Sequence, residues 1–176
     1  MPRFQLLLLL ILLTVVPPHF SGQRSQKFED WHSRGLRANP TGIVANLQTR
    51  DKRSRYHAGE IVNLHLIFTS RSDELYTVET ADVSGDEVFL QQSSSGEPRR
   101  LIERHGVLCC SSAPQTLSTS PIEVSTHIYL RLEPGDYSLF VKTKRVCHGK
   151  LNAGHYGEGP ILTSGVLQLT IVPDQN

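Results

Sequence analysis

The sequence predicts an all-β protein: an antiparallel β-sandwich of roughly seven or eight strands behind an N-terminal signal segment. Two observations favour this class. Apolar and polar side chains alternate in short runs, which turn residues separate at the spacing typical of a sandwich. Strands do not alternate with helices, as they would in a parallel sheet. We therefore expect two facing layers around one core.

Residues 1–22 predict a secretory signal peptide. Arg3 precedes an unbroken apolar run from Leu6 to Val16, which two prolines end. The run is too short to cross a bilayer, since a helix needs about 20 apolar residues to do so, but it matches the apolar part of a signal. We expect a secreted or periplasmic protein with no stable membrane span after processing. An uncleaved anchor is the alternative.

Residues 23–41 predict a flexible linker, and residues 42–173 predict the sandwich domain. Phe28, Trp31 and Leu36 are spaced by three and then by five positions, which fits a helix poorly. We expect at most a short helical turn in this polar stretch.

Period-two alternation predicts strands along the domain: one from Ile43, one over residues 61–70 and a closing strand over residues 166–172. Residues 75–81 and 87–92 flank a short glycine turn, which predicts a hairpin.

Apolar side chains occupy every second position of residues 128–132 and 137–141, on either side of Pro134-Gly135. This pattern predicts two neighbouring strands, each with one face toward the core. Tyr137 follows the turn and resembles the tyrosine corner of immunoglobulin-like sandwiches, in which the hydroxyl bonds to upstream backbone. We predict that structural role for Tyr137, Pro134 and Gly135, and hence an immunoglobulin-like sandwich.

The chain has three cysteines, Cys109, Cys110 and Cys147. An exported protein meets an oxidising compartment, so pairing is expected, and adjacent cysteines rarely pair with each other. We predict a disulfide of Cys147 with Cys109 or Cys110, stabilising the fold by about 3–4 kcal/mol. The remaining cysteine is either free or joins two chains.

Charge is balanced overall. The chain has 18 basic and 17 acidic residues, and removal of residues 1–22 takes away Arg3 and no acid, which leaves 17 of each. This balance argues against nucleic acid as a partner, because a nucleic-acid binder needs a basic face. Basic residues nevertheless cluster at 50–55 and 99–104. They indicate either solvated loops or a weak contact with an anion.

No catalytic residue and no cofactor is predicted. The chain lacks a G-x-S-x-G elbow and the glycine spacing of a phosphate-binding loop. A rival hypothesis is a metal site formed by the three cysteines with His148 and His155. Their spacing matches no zinc pattern, and an oxidised cysteine supplies no thiolate, so we predict no metal ligands.

The stretch from Cys147 to Pro160 predicts a long exposed loop, because four glycines interleave with His148, His155 and Tyr156. Loops on a rigid sandwich often contact partners. These three side chains form a possible recognition loop, and a flexible loop with no partner is the alternative.

Three segments resemble a known family. They are residues 56–64, YHAGEIVNL, residues 130–139, LRLEPGDYSL, and residues 163–172, TSGVLQLTIV. They are similar, in the same order, to segments of exported, largely uncharacterised bacterial immunoglobulin-like domains, acidobacterial ones especially, although Gly165 stands where that family usually has asparagine. The first segment alone also resembles the entry strand of intracellular proteinase-inhibitor-like sandwiches. The resemblance implies a fold and no chemistry.

The function predicted from these features is that of an exported, non-catalytic immunoglobulin-like module. It would bind an unknown protein or cell-surface component through end loops or an exposed sheet edge. One alternative is an inhibitor or accessory subunit of an envelope hydrolase. A second is a small metal-binding or enzymatic domain that uses the loop cluster near Cys147.

Overall fold

The computed structural model describes residues 24–80, 85–93, 96–101, 113–149 and 159–174. The predicted signal peptide lies outside these ranges. Within them the chain forms one helix and twelve strands: α1 Gln26–Ala38, β1 Ile43–Thr49, β2 Arg55–His57, β3 Val62–Ser70, β4 Tyr76–Val78, β5 Glu87–Gln92, β6 Arg99–Leu101, β7 Gln115–Thr116, β8 Ile122–Leu130, β9 Gly135–Thr143, β10 Val146–His148, β11 Leu162–Thr163 and β12 Leu167–Val172. No helix in the described ranges is long and apolar enough to cross a bilayer.

The strands form a β-sandwich, as predicted. The first sheet has the order β1-β3-β8, and the second has the order β2-β12-β9-β5-β6 with β11 paired to β9. A third, small sheet has the order β10-β4-β7. All pairs are antiparallel except the pair of β12 with β2. The described strands outnumber the predicted seven or eight because six of them have only two or three residues, too few to show alternation.

The core lies between the first two sheets, where the alternating side chains meet. Every second residue of β3 is buried, and Leu64 and Phe68 face the second sheet's Leu139 and Val141 across this core. All four are at most 1% exposed. Burial of each such side chain is worth about 1.5–3 kcal/mol, so this layer is the main source of stability.

β8 and β9 lie in different sheets. β8 pairs with β3, whereas β9 pairs with β5 and β12. The prediction that they are neighbouring strands is therefore wrong: the turn at Pro134-Gly135 carries the chain from one sheet to the other. Gly135 has a φ of +151°, which side chains rarely adopt. Alternation shows which side chains of a strand face the core, but it does not show to which sheet the strand belongs.

The predicted hairpin of residues 75–81 with 87–92 is also wrong. β4 pairs with β10 and β7, while β5 pairs with β9 and β6. Both strands are buried on both faces at their centres, so long-range packing selects their partners.

Residues 26–38 form a helix, which corrects the predicted linker. The Ser25 hydroxyl caps the helix by accepting a hydrogen bond from the backbone N–H of Phe28 at 3.3 Å. Phe28, His32 and Gly35 are buried at positions i, i+4 and i+7, whereas Leu36 is 42% exposed. The buried face therefore includes His32 and Gly35, which are not apolar residues of the kind that reveals a helix by its periodicity. Leu36 is such a residue, but it lies on the exposed face.

The helix covers the outward face of the second sheet. The ring of Phe28 packs edge-on against Phe140, with centroids 5.1 Å apart, and Phe140 stacks on Phe89 at 4.7 Å. Trp31 makes a further edge contact with Phe89 at 5.6 Å. As a result, β5 and β9 are covered on both faces, one by the first sheet and one by α1.

Polar contacts hold both ends of the helix. The backbone N–H of Ser25 donates to Gln91 Oε1 at 3.0 Å, and His32 Nε2 donates to the carbonyl of Ser164 at 3.0 Å. The Asn39 side chain donates to the Thr163 carbonyl at 2.8 Å and accepts from the Thr163 N–H at 2.7 Å. The side-chain amide of Asn39 thus forms, with the backbone of Thr163, the two hydrogen bonds that a neighbouring strand would otherwise form with β11.

Candidate functional site

A groove lies between α1 and the outward face of the second sheet, with a volume of about 640 Å³. We call it the α1 groove. Its lining comes from the helix, from β5, β6, β9 and β11, and from adjacent loops: Trp31, Arg34, Gly35, Ala38, Gly85, Glu87, Phe89, Arg100, Lys142, Lys144, Ile161 and Thr163. Its size falls within the usual range of ligand sites.

The lining is strongly cationic. Arg34, Arg100, Lys142 and Lys144 contribute four positive charges, and Glu87 contributes one negative charge. Arg100 forms a salt bridge with Glu87. The other three cations form no salt bridge with any residue in the described ranges. The groove therefore concentrates positive charge on a chain that is otherwise close to neutral.

Strand geometry aims these cations into the groove. In β9 the inward side chains are Tyr137, Leu139 and Val141, so Lys142 points outward with Phe140. The Lys142 ammonium lies 5.0 Å from the ring centroid of Phe89.

The remaining cations come from neighbouring elements. Arg100 on β6 lies opposite Phe89 on β5. Arg34 lies three residues after Trp31 in α1, on the same side of the helix. Lys144 directly follows the end of β9. Packed elements therefore fix the backbone positions that carry the cations, whereas the side chains of Arg34 and Lys144 are exposed.

The floor and walls of the groove are partly apolar. Trp31 is half-buried at the helix side, Phe89 is 7% exposed at the floor, and Ile161 is 47% exposed at the far wall. Apolar surface with a few placed charges is the usual composition of a ligand site. The groove suits an anion that also presents an apolar face.

The predicted recognition loop is only partly described. His148 ends β10 and is exposed, with its Nε2 3.5 Å from Glu74 Oε2 and its ring edge-on to Tyr76 at 5.2 Å. It does not line the α1 groove. His155 and Tyr156 lie outside the described residues, so the recognition loop stays a prediction.

Cys147 is buried in β10, opposite Thr77 of β4. Its predicted disulfide partners, Cys109 and Cys110, lie outside the described residues, so the disulfide stays a prediction. Across the ranges that the structure describes, no group of three or more His, Cys, Asp or Glu side chains is able to hold a metal ion.

Tyr137 makes the bond that a tyrosine corner makes. Its hydroxyl donates to the backbone carbonyl of Glu133 at 2.8 Å, and its side chain is buried at the start of β9. Burial and the nearby charge of Glu133 raise the pKa of Tyr137. This contact spans the turn between β8 and β9, and the structural role of Tyr137 stays a prediction.

The basic loop at residues 50–55 is partly neutralised by its own acid. Asp51 Oδ2 accepts from Arg53 Nε at 2.6 Å, and Asp51 Oδ1 accepts from the Tyr56 hydroxyl. Partial burial raises the pKa of Asp51, but the hydrogen bonds from Tyr56 and Arg53 outweigh it and hold that pKa well below its usual value. This loop is less suited to an external anion than the α1 groove.

Sequence reasoning noted Arg100 in a charged cluster and missed the other groove residues. One signal was available: Phe140 and Phe89 are large aromatic residues on strand positions that face away from the core. Such residues indicate that another part of the chain covers the outer face of the sheet. Phe28 and Trp31, the aromatic residues in the polar stretch before the domain, were the candidates for that cover.

No known family model matches the chain, and no curated protein matches it. Among solved structures the chain is similar to the β-glucosidase from Listeria innocua, at 15% identity and a TM-score of 0.35 over 75% of this chain. The chain spans 16% of the length of that enzyme. A likeness of this degree transfers no activity. The class defined by the fold is an all-β sandwich, here with a cationic groove on one sheet.

Proposed function

We propose that this chain is an exported, non-catalytic immunoglobulin-like module that binds an anionic cell-surface component through the α1 groove. The observation that carries this proposal is the set of three cations, Arg34, Lys142 and Lys144, that share one groove and form no salt bridge with a described residue, although Glu87 lies opposite Lys142 on the neighbouring strand. The three segments that resemble exported acidobacterial domains support the assignment to that class.

Electrostatics favours an anionic ligand at this place. Cations held side by side on packed elements repel one another and create a local positive potential, which an anion relieves. The aromatic surface beside them lowers the local dielectric constant, so a charge contact there is stronger than one in open solvent. Arg34 and Lys144 are exposed, so binding orders long side chains at an entropic cost that the charge contacts must exceed.

The test uses the exported full chain and two polyanions, poly-L-glutamate and polygalacturonate, with neutral dextran as the uncharged control. We expect at least one polyanion to bind and dextran not to bind, with affinity falling as salt rises. The double variant Lys142→Gln/Lys144→Gln should weaken binding roughly tenfold, since each lost contact is worth about 0.5–1 kcal/mol.

The matched control is Arg50→Gln/Lys52→Gln, which removes the same charge from exposed positions outside the groove. We expect less than about a twofold change. Equal losses for the two double variants would show that binding follows net charge alone, and the groove assignment would then be wrong.

The two alternative functions stay predictions. An inhibitor of an envelope hydrolase would need a rigid protruding loop, and residues 150–158, the candidate loop, lie outside the described residues. Stoichiometric inhibition of a hydrolase would establish it. Metal analysis of reduced and oxidised protein tests the metal-binding alternative near Cys147.

A further inference from the structure

We propose that the new N terminus, the α-ammonium group of Gln23 released when residues 1–22 are removed, binds to Asp136 in a cleft beyond the first turn of α1. The proposal rests on the predicted signal peptide and is independent of the ligand of the α1 groove. It is carried by one juxtaposition: the Asp136 carboxylate has an unpaired oxygen in a cleft toward which the N-terminal end of the helix points.

The cleft lies on the outward face of the second sheet and has a volume of about 240 Å³. Its polar lining includes Asp136 and Ser138 on β9, Gln168 and Thr170 on β12, and Arg55 on β2. Among the described residues that line it, Asp136 is the one acid. The cleft therefore offers a single negative charge among hydroxyl and amide groups.

Asp136 is half-buried, and one of its carboxylate oxygens is already bonded. Oδ1 accepts a hydrogen bond from the Thr170 hydroxyl at 2.8 Å, whereas Oδ2 forms no hydrogen bond or salt bridge with any residue in the described ranges. Arg55 is exposed, and β12 lies between its strand and β9, which places the two strands about 10 Å apart. A cationic donor that enters the cleft therefore finds a carboxylate oxygen without a partner.

The contacts of α1 show that its N-terminal end points toward this cleft. At the start of the helix, the N–H of Ser25 donates to Gln91, which lies opposite Ser138 on β9. At the other end, Asn39 bonds to β11, which pairs with the last residues of β9. The helix therefore runs parallel to β9, and a chain that continues its line backward from Ser25 leads toward the first residues of that strand.

The distance from the helix to the carboxylate fits two residues. Asp136 lies two positions before Ser138 on β9, which corresponds to about 7 Å along the strand. Gln23 lies two positions before Ser25, and an extended chain covers about 7 Å in two residues. Ser25 has an extended backbone, with a φ of −68° and a ψ of 150°. A chain that begins at Gln23 thus brings its α-ammonium group level with Asp136.

Positive charge that precedes a helix needs an acidic partner, because the N-terminal end of a helix itself carries partial positive charge. Signal removal leaves two such charges, Arg24 and the α-ammonium group. Arg24 Nε pairs with Glu29 Oε1 at 2.7 Å. Asp136 is placed to pair with the ammonium group, and the Ser138 hydroxyl beside it is a second acceptor. Before cleavage this nitrogen belongs to an uncharged peptide bond, so the contact forms only after processing.

The first measurement is the N terminus of the exported chain, read by mass spectrometry. We expect the exported chain to begin at Gln23. A different first residue, or a chain that keeps residues 1–22, would overturn the proposal.

The second measurement is the rate at which an acylating reagent modifies the α-amino group near neutral pH, followed on the N-terminal peptide by mass spectrometry. Only the unprotonated amine reacts, and a nearby carboxylate holds the proton on it. Asp136→Asn keeps Oδ1 as the acceptor for Thr170 and should raise the rate roughly twofold to fivefold, as expected for a partly exposed ion pair. Asp73→Asn, at an exposed aspartate far along the chain from the cleft, is the matched control and should leave the rate unchanged.

A longer chain gives an independent test that leaves Asp136 intact. A chain that keeps Ser21 and Gly22 carries its ammonium group about 7 Å farther from the helix, so it should react as fast as Asp136→Asn. Trp31, the only tryptophan in the chain, reports by its emission whether α1 stays packed on the sheet in each protein.

The outcomes decide the proposal in either direction. Faster reaction of both Asp136→Asn and the longer chain, with equal rates for all of these proteins in concentrated urea, would support it. An unchanged rate for either protein in its folded state would overturn it. An equal increase for Asp73→Asn would show that net charge alone sets the rate, and the assignment of Asp136 would then be wrong.

Discussion

Arg145 forms a buried ion pair with Asp86: Nε of the arginine lies 2.9 Å from Oδ2 of the aspartate, and the residues are 1% and 7% exposed. The guanidinium also donates to the carbonyls of Glu79 and Ser125, each at 3.4 Å. Ser125 belongs to β8 in the first sheet, and Asp86 immediately precedes β5 in the second. The pair therefore links the two layers of the sandwich.

Removal of one member of this pair should destabilise the fold strongly. Asp86→Ala leaves the Arg145 charge buried without its carboxylate, and we expect a loss of about 3–5 kcal/mol in the free energy of unfolding by urea. Asp86→Ala/Arg145→Met should lose less than the sum of the single changes, because it removes both charges of the pair together.

The matched control for the ion pair is Glu29→Ala. It breaks the half-exposed salt bridge with Arg24 and should cost at most about 1 kcal/mol. If Asp86→Ala cost no more than Glu29→Ala, the inter-sheet link would be without consequence for stability.

Gly35→Ala should weaken the packing of α1 on the sheet. A Cβ at this position would lie 2.2 Å from Thr163 Oγ1, so the helix would have to move. In an exposed helix, replacing glycine by alanine stabilises the helix by about 1 kcal/mol. At this buried position the added methyl group overpacks the contact with Thr163, which typically costs about 1–3 kcal/mol. We expect a net loss of stability.

Adding Thr163→Ala to Gly35→Ala should recover part of this loss, because the clashing hydroxyl is removed. Circular dichroism and urea unfolding measure both variants. A stabilised Gly35→Ala protein would contradict the close approach of α1 to β11.

Tyr56 should make the fold sensitive to alkaline pH. Burial and the hydrogen bond to Asp51 raise the pKa of Tyr56 from 10.0 to about 12. The unfolded chain therefore loses this proton first, so the stabilisation is complete below pH 10 and falls as the pH rises from 10 to about 12.

Tyr56→Phe should flatten this alkaline decline, measured as the free energy of unfolding at about pH 9 and about pH 11.5. Tyr129→Phe, at a tyrosine that is 53% exposed, serves as the control and should keep the decline. Equal slopes for wild type and Tyr56→Phe would show that the phenol titrates normally.

Tyr137→Phe should cost about 1 kcal/mol, because it removes the hydroxyl that donates to the Glu133 carbonyl and keeps the buried ring. Glu133 is exposed, so water can replace the lost donor and the cost stays modest. Thermal unfolding beside Tyr129→Phe measures it. A loss of stability no larger than that of Tyr129→Phe would contradict the structural role predicted for Tyr137.

The long strands were predictable because their signal is local. In β3 and β12 the side chains that face the core alternate with those that face away, and each residue's apolar or polar character records that position. The candidate groove was not predictable in the same way. Lys142 and Trp31 are 111 positions apart in the sequence, and only the packing of α1 on β9 brings them to one surface.

The sequence by itself determined the all-β class, the positions of β3, β9 and β12 and the turn before Tyr137, because alternation and turn chemistry depend on residues close together in the chain. The tertiary structure alone decided that β8 and β9 belong to different sheets, that β4 and β5 do not pair, and that residues 26–38 are a helix over the second sheet. Strand partners and the docking of a helix depend on contacts between distant residues. At those contacts small or polar residues such as Gly35 and His32 are buried, and a search for apolar periodicity does not detect such residues.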